Sequence, residues 1–317
     1  MCGGCNSPPL KGEKRWERRK TNAKVKKTIA NAWLKFLEDR FRAKINPSEY
    51  ILSYSGGKDS HLLYWFIKEW LKDDQIEIVG VNTSFEIPEI RDRILKNSDV
   101  VLKPAKHRND IKAQFGIPCF SKQQDEYIHR YQNGSRSENT MRAIIGENVK
   151  FNLNKKARQL VLSGELHKVS NKCCYWNKEL PLMRYAKEHG KKCIIGVRGT
   201  ESNTRKCKYN TCLQKSGDFT PLYDFSDELV DLIYEVYQIE IPSCYYYLTR
   251  TGCAGCPYGR NTETELGLIP DGQRKHTVAF FKESYDVLGI NYTDIQLSMN
   301  LTREKTNENN RANQTES

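Results

Sequence analysis

Apolar positions follow two rhythms along the chain. Short runs rich in β-branched and aromatic residues, Tyr50–Tyr54, Ile76–Asn82, Asp99–Leu102 and Cys193–Val197, predict strands. Stretches with apolar residues three and four apart predict helices near Ser60–Lys72, Glu89–Lys96 and Ser121–Gln132. Leu180 to Tyr185 begins another helix, with Pro181 in its first turn, and Asp227–Tyr237 reads as a helix capped by Ser226. Strands alternating with helices predict an α/β fold with a doubly wound parallel sheet. A mostly helical insertion, about residues 105–190, interrupts the alternation.

The same periodicity predicts a helix from Lys11 to Lys44, with Val25, Ile29, Trp33, Phe36, Leu37 and Phe41 on its apolar face. Asn46-Pro47-Ser48 ends it. Its other faces are basic: thirteen Lys/Arg against four Asp/Glu, or +9 of a net charge of +12. The rest of the chain reads as close to balanced. This helix either docks on the core or lays its basic face on the phosphates of tRNA or DNA. Residues 1–46 are therefore a flexible leader plus a basic amphipathic helix. Residues 47–300 form the main domain, and the polar residues 301–317 a disordered tail.

Composition narrows the class. Charged residues make 28% and apolar residues 38% of 317, ordinary for a soluble chain. No apolar run reaches the roughly 20 residues of a membrane helix, and no secretory signal opens the sequence. The expected location is the cytoplasm. Eleven cysteines, partly clustered, then point to metal or redox chemistry rather than disulfides.

The chemistry starts at residues 53–60, Ser-Tyr-Ser-Gly-Gly-Lys-Asp-Ser, between a predicted strand and a predicted helix. Such a turn presents backbone N–H groups at a helix N-terminus, where the dipole favours an anion. Gly56 and Gly57 allow close backbone approach. Ser55 and Ser60 add hydroxyls, and Lys58 a positive charge. Asp59 is a candidate carboxylate for Mg²⁺ shared with phosphate oxygens. The expected guest is a phosphate or pyrophosphate. The loop resembles the PP-loop, Ser-Gly-Gly-x-Asp-Ser, of the adenine nucleotide α-hydrolase superfamily. That resemblance implies a Rossmann-like domain, ATP or a sulfated adenylate as ligand, and cleavage of ATP between its α and β phosphates.

Cys173-Cys174 and Cys253-Ala254-Gly255-Cys256 form two close pairs. Four thiolates can close a zinc site or hold a 4Fe–4S cluster, and an adjacent Cys-Cys pair suits zinc poorly. Cys207 and Cys212 flank a basic loop whose lysines would lower a thiol pKa, so they could supply a nucleophilic redox thiol. Cys2 and Cys5 lie in the leader. Cys119, Cys193 and Cys244 read as core residues.

Longer segments extend the resemblance. Lys-Cys-Cys-Tyr-Trp-Asn-Lys-Glu-Leu-Pro-Leu-Met-Arg at 172–184 resembles the Cys-Cys-x-x-x-Lys-x-x-Pro-Leu segment of adenylyl-sulfate reductases. Residues 195–205, Ile-Gly-Val-Arg-Gly-Thr-Glu-Ser-Asn-Thr-Arg, and 220–225, Thr-Pro-Leu-Tyr-Asp-Phe, resemble two further segments of that family. Over about residues 50–260 the chain thus resembles the phosphoadenylyl-sulfate (PAPS) reductase family of the PP-loop superfamily. The resemblance implies that Cys173, Cys174, Cys253 and Cys256 ligate a 4Fe–4S cluster beside the nucleotide.

Two departures shape the expected reaction. The reductases attack sulfur with a C-terminal cysteine, whereas the last cysteine here is Cys256. Their loop is usually degenerate, whereas this one is intact, as in the ATP sulfurylase small subunit, tRNA thiolation enzymes and a DNA phosphorothioation enzyme. The leading expectation is therefore ATP cleavage for adenylation and sulfur transfer, with Lys58, Asp59, Arg198 and Arg205 as catalytic residues. The two arginines would clamp an oxyanion in their planar forks. A sulfonucleotide reductase acting on adenylyl sulfate or PAPS, with an internal cysteine and a thioredoxin-like or other sulfur donor, is the alternative. A non-enzymatic iron–sulfur protein that binds nucleic acid is a third reading.

Overall fold

The computed structural model describes residues 23–148, 150–201, 205, 208–293 and 295. The leader with Cys2 and Cys5, the helix expected over 11–22, Cys207 and the expected tail lie outside them. Four parallel strands make the sheet: β1 (Tyr50–Tyr54), β2 (Glu77–Val81), β3 (Val100–Leu102) and β4 (Lys192–Ile195), in the order β3-β2-β1-β4. Leu52 stands opposite Ile78 on one side and Ile194 on the other, so β1 is the central strand between two parallel neighbours. The direction of winding reverses between β1 and β4. In such sheets a crevice opens there, beyond the carboxyl ends of the strands.

The side chains of β1 divide between two layers, as a strand's period of two requires. Leu52 and Tyr54 enter the main core with Phe66, Phe219 and Phe225. Ile51 packs on the opposite face with Val79 and Ala186. Helix α2 (Lys58–Trp65), which runs on as a π-helical stretch over Phe66–Leu71, and α3 (Pro88–Asn97) connect the first three strands. The expected doubly wound architecture is present. No helix among the described residues is long and apolar enough to cross a membrane.

The insertion contains α4 (Arg108–Phe115), α5 (Lys122–Gln132), α6 (Glu138–Ile145) and α7 (Lys155–Ser163). It has its own small core of Cys119, Ile128, Ile144, Leu153, Val161 and Val169. Its two ends are tied where Ile117 N–H donates to Lys168 O at 3.1 Å and Ser170 N–H donates to Ile117 O at 3.1 Å. The chain then turns through α8 (Lys172–Cys174), a π-helical stretch (Tyr175–Glu179) and α9 (Leu180–Glu188) into β4. Helices α10 (Asp227–Tyr237), α11 (Thr262–Gly267) and α12 (Asp271–Leu288) complete the order. As expected, Ser226 caps α10, accepting from Leu229 N–H at 3.2 Å.

The N-terminal helix α1 (Ala23–Lys44) docks with a different face from the one its periodicity suggests. Ala30, Leu34, Leu37 and Phe41 are buried, whereas Val25, Ile29 and Phe36 are each more than 40% exposed. The rotation is fixed by Arg40. Its guanidinium is buried and makes two 2.8 Å bonds to the Asp224 carboxylate ahead of α10. A bidentate pair is directional, so it selects among neighbouring apolar stripes that hydrophobicity alone leaves nearly equivalent.

Candidate functional site

The glycine loop leaves β1 at Ser55 and enters α2 at Lys58. Gly56 has φ +69°, a left-handed conformation that side chains resist. A Cβ there would stand 2.8 Å from Ile90 O of α3. Gly56 therefore lets the loop seat on α3, and closeness to an anion is not its structural reason. Gly57, at the N-cap, faces the other way, toward Thr251 and Tyr245.

The loop is braced from within. Ser60 Oγ donates to Gly57 O at 3.0 Å and lies 3.0 Å from Ser55 Oγ. Lys58 N–H donates to Tyr245 Oη at 2.8 Å, and Tyr234 Oη donates back to Lys58 O at 2.7 Å. Two tyrosines distant in sequence thus grip the first residue of α2. Beneath the loop, His61 is buried against Tyr54, whose hydroxyl lies 2.8 Å from Nδ1. Burial, with Arg93 nearby, pushes the imidazole down to about 3, so it is a neutral packing residue.

A cleft of about 750 Å³ opens above the loop, well within the range of small-molecule sites. Ser55, Gly57, Lys58, Asp59 and Ser60 line one side, and Arg198 and Arg205 line the side that follows β4. All four expected catalytic residues thus share one cavity, and of the expected loop ligands only Gly56 is absent from its wall. Gly196 makes this convergence possible, since a Cβ there would meet Ser60 N at 2.9 Å.

Arg198 is buried between two carboxylates, with Nε 2.8 Å from Asp59 Oδ1 and a terminal nitrogen 2.6 Å from Asp227 Oδ1. Burial works to lower its pKa, and Asp59 and Asp227 more than reverse this, so the guanidinium stays charged. Lys58 pairs with Asp231 of α10. Burial lowers its ammonium pKa, Arg198 adds to the effect, and Asp59 and Asp227 oppose it. The cleft is therefore an alternating set of charges in partly dry surroundings.

The other wall was not read from the sequence. It comes from Ile241, Tyr245, Tyr246, Arg250, Thr251 and Arg260. Their one local signal is the run Tyr245-Tyr246-Tyr247 ahead of the second cysteine pair. Arg250 and Arg260 bracket Cys253 and Cys256, which ties the cysteine turn to the cleft.

The four expected ligands occupy one neighbourhood. Cys173 is buried and accepts from Asn177 Nδ2 at 3.1 Å. Burial, with the other cysteines adding, raises the thiol pKa of Cys173 and of Cys256. Lys178 bonds to Cys253 and lies 3.6 Å from Glu86, whose buried carboxylate accepts from Thr83 Oγ1 at 2.6 Å. Burial works against the Lys178 charge, and Cys253 and Glu86 outweigh it. Cys256 N–H donates to Cys253 O at 3.1 Å, closing a tight turn. Gly255, at φ +72°, lies against Leu266 and Tyr285 in that turn. Among the described residues, no three His, Cys, Asp or Glu side chains are set at the spacing of a metal site. The donor chemistry nevertheless fits an iron–sulfur group: four thiols with an ammonium and an amide directed at two of them. Cys119 and Cys244 are core residues as expected, and Cys193 is half-buried on β4.

No protein-family profile and no curated protein matches the chain. Several solved structures are similar to it, among them the two that follow. One is a phosphoadenylyl-sulfate (PAPS) reductase from Candida auris in a phosphate complex, 12% identical, with a TM-score of 0.37, over 72% of this chain and 93% of that one. The other is the U34-tRNA thiolase NcsA from Methanococcus maripaludis with its 4Fe-4S cluster, 13% identical, with a TM-score of 0.33, over 89% and 81%.

Proposed function

We propose that this chain is a PP-loop enzyme that cleaves ATP between the α and β phosphates and adenylates an acceptor for sulfur transfer. The observation that carries this reading is the convergence of Lys58, Asp59, Arg198 and Arg205 on one cleft above the glycine loop. Lys58 and the start of α2 bind the pyrophosphate portion. Asp59 is the carboxylate for Mg²⁺ shared with phosphate oxygens. Arg198 and Arg205 meet the remaining oxyanion. An acceptor oxygen attacks the α phosphorus, the bond to the bridging oxygen breaks, and pyrophosphate leaves with both electrons of that bond. A sulfur nucleophile then displaces AMP from the activated acceptor. Fixed charges at the leaving group supply the catalysis.

Cys173, Cys174, Cys253 and Cys256 would hold a 4Fe–4S cluster. That group would supply a redox-active centre able to bind sulfur. Lys178 and Asn177 would orient and polarise the cysteine sulfurs. Residues 11–44 are proposed as a nucleic-acid contact, of which the described part is α1.

Anaerobically purified protein should be brown, carry near four irons, and release AMP and pyrophosphate from ATP. Stoichiometric zinc without iron would remove the cluster. Sulfite from adenylyl sulfate, with no pyrophosphate from ATP, would replace the sulfur-transfer reading with the reductase.

A further inference from the structure

We propose that the helical insertion is itself a nucleic-acid-binding surface, which names a second contact for the acceptor and rests on the sulfur-transfer reading. The near balance of charge in the main domain hides a strong separation. Residues 103–172 carry fourteen Lys/Arg and six Asp/Glu, whereas residues 45–102 carry six and ten. One of the six acids, Asp125, is fully buried and adds nothing to the surface.

The basic side chains border α5 along its length, Lys155 and Lys156 beside its first turn and Lys168 beside its last. Asn154 N–H, at the cap of α7, donates to Gln124 Oε1 of α5 at 3.0 Å. Asn171 Nδ2 donates to Lys122 O at 3.2 Å, bringing the segment before Cys173 to the same end. Lys168 and Lys172 both act on His129 of α5, adding to the burial that lowers its pKa. Lys155, Lys156, Lys168 and Lys172 are all exposed, and none has an ion-pair partner among the described residues.

A second observation points outward. The first turn of α7 holds no acidic residue and opens on Lys155-Lys156. Cations are disfavoured at that end of a helix dipole. Two exposed lysines thus stand at the positive end of α7 with no ion pair to either among the described residues. A polyanion pairs with such lysines, with release of its counterions.

The surface adjoins the site. Tyr258 Oη donates to Asp125 Oδ2 at 2.6 Å, and Tyr258 lies between Cys256 and the cleft residue Arg260. A strand of phosphates crossing Lys155, Lys156, Lys168 and Lys172 would therefore run beside the cysteine turn toward the cleft.

The test uses the full chain and three probes: a 20-nucleotide single strand, the duplex of the same sequence, and bulk tRNA. Changing Lys155, Lys156, Lys168 and Lys172 together to Gln should weaken binding at least tenfold at 0.1 M salt. It should flatten the log–log salt slope by up to about 0.9 per lysine on duplex and about 0.7 on single strands. A control with Lys96→Gln and Lys275→Gln, exposed lysines outside the insertion, should bind like the unmodified chain. Unchanged affinity and slope in the fourfold variant, with its melting curve intact, would overturn the proposal, as would absence of binding to all three probes. Pyrophosphate release without acceptor should be the same in the fourfold variant. Its absence in the unmodified chain, both with water as the attacking oxygen and with each of the three probes added as acceptor, defeats the enzymatic reading separately and leaves the binding result readable.

Discussion

Arg198 Nε lies 2.8 Å from Asp59 Oδ1, joining the loop after β1 to the loop after β4. The bond spans the point where the sheet reverses its winding, and it holds the two sides of the cleft in register. Asp227 on the far side of the guanidinium completes a carboxylate–arginine–carboxylate row. An arriving phosphate must share Arg198 with both acids, and a magnesium ion would share Asp59 with Arg198.

Asp59→Ala should therefore separate folding from turnover. Asp227 still pairs Arg198, so the melting temperature changes little. Turnover of ATP to AMP and pyrophosphate should fall at least about 100-fold, or roughly 2.7 kcal/mol of transition-state stabilisation. Turnover equal to that of the unmodified chain would remove Asp59 from the site.

The two loop glycines should respond differently. Gly56→Ala forces a side chain into a left-handed residue with Ile90 O 2.8 Å away. It should cost at least about 2 kcal/mol of stability in urea denaturation. Gly57 has φ −74°, which any residue adopts, and its nearest obstacle is Thr251 Oγ1 at 3.3 Å. Gly57→Ala should fold normally and bind ATP more weakly. Equal stability losses in the two variants would contradict the opposed facing of these residues.

His61 gives stability an acid limb. Its pKa falls from 6.5 to about 3 in the folded state, chiefly by burial. The unfolded chain therefore takes up a proton first, and stability present above pH 6.5 is lost as pH drops toward 3. A tenfold difference in proton affinity between the folded and unfolded chain is worth about 1.4 kcal/mol. His61→Gln, which can still accept from Tyr54, should make urea midpoints at pH 7, 5 and 4 more alike. An unaltered pH profile would show that another group controls this limb.

Truncation distinguishes the two parts of the N-terminal segment. Deleting residues 1–22 leaves α1 whole, and the protein should remain soluble with an unchanged melting curve. Deleting residues 1–44 uncovers the partners of Leu34, Leu37 and Phe41 and strips Asp224 of Arg40. That product should aggregate. Arg40→Met keeps the packing but leaves Asp224, whose side chain is one third exposed, unpaired. A loss of about 2 kcal/mol follows, below the 3–5 of a fully buried pair. A soluble, folded 45–317 chain would show that α1 is not part of the core.

Several features were legible because they are local. Tyr50–Tyr54 is a strand because β-branched and aromatic residues suit a pleated, buried surface. Ser226 caps α10 because a serine before an amphipathic run can accept from an N–H group three residues on. The glycine loop between a strand and a helix needed only consecutive residues to be read. The Cys173-Cys174 and Cys253/Cys256 pairs were visible as spacing, and their common neighbourhood was an expectation of the family resemblance, not of any local pattern.

Local residue order was enough for the strand–loop–helix unit, the alternation that makes a parallel α/β sheet, and the residue types offered to a phosphate. Tertiary structure decided which of those residues meet. Asp59 and Arg198 lie 139 positions apart, and Asp125 and Tyr258 lie 133 apart. Tyr245 reaches the first residue of α2 across 187. The docked face of α1 was set by Arg40 and Asp224, 184 residues apart, against an apolar stripe that looked equally good. Periodicity reports the direction of a side chain relative to its own helix or strand. Strand order, helix rotation and loop approach fix what lies opposite it, and these follow from packing the whole chain at once.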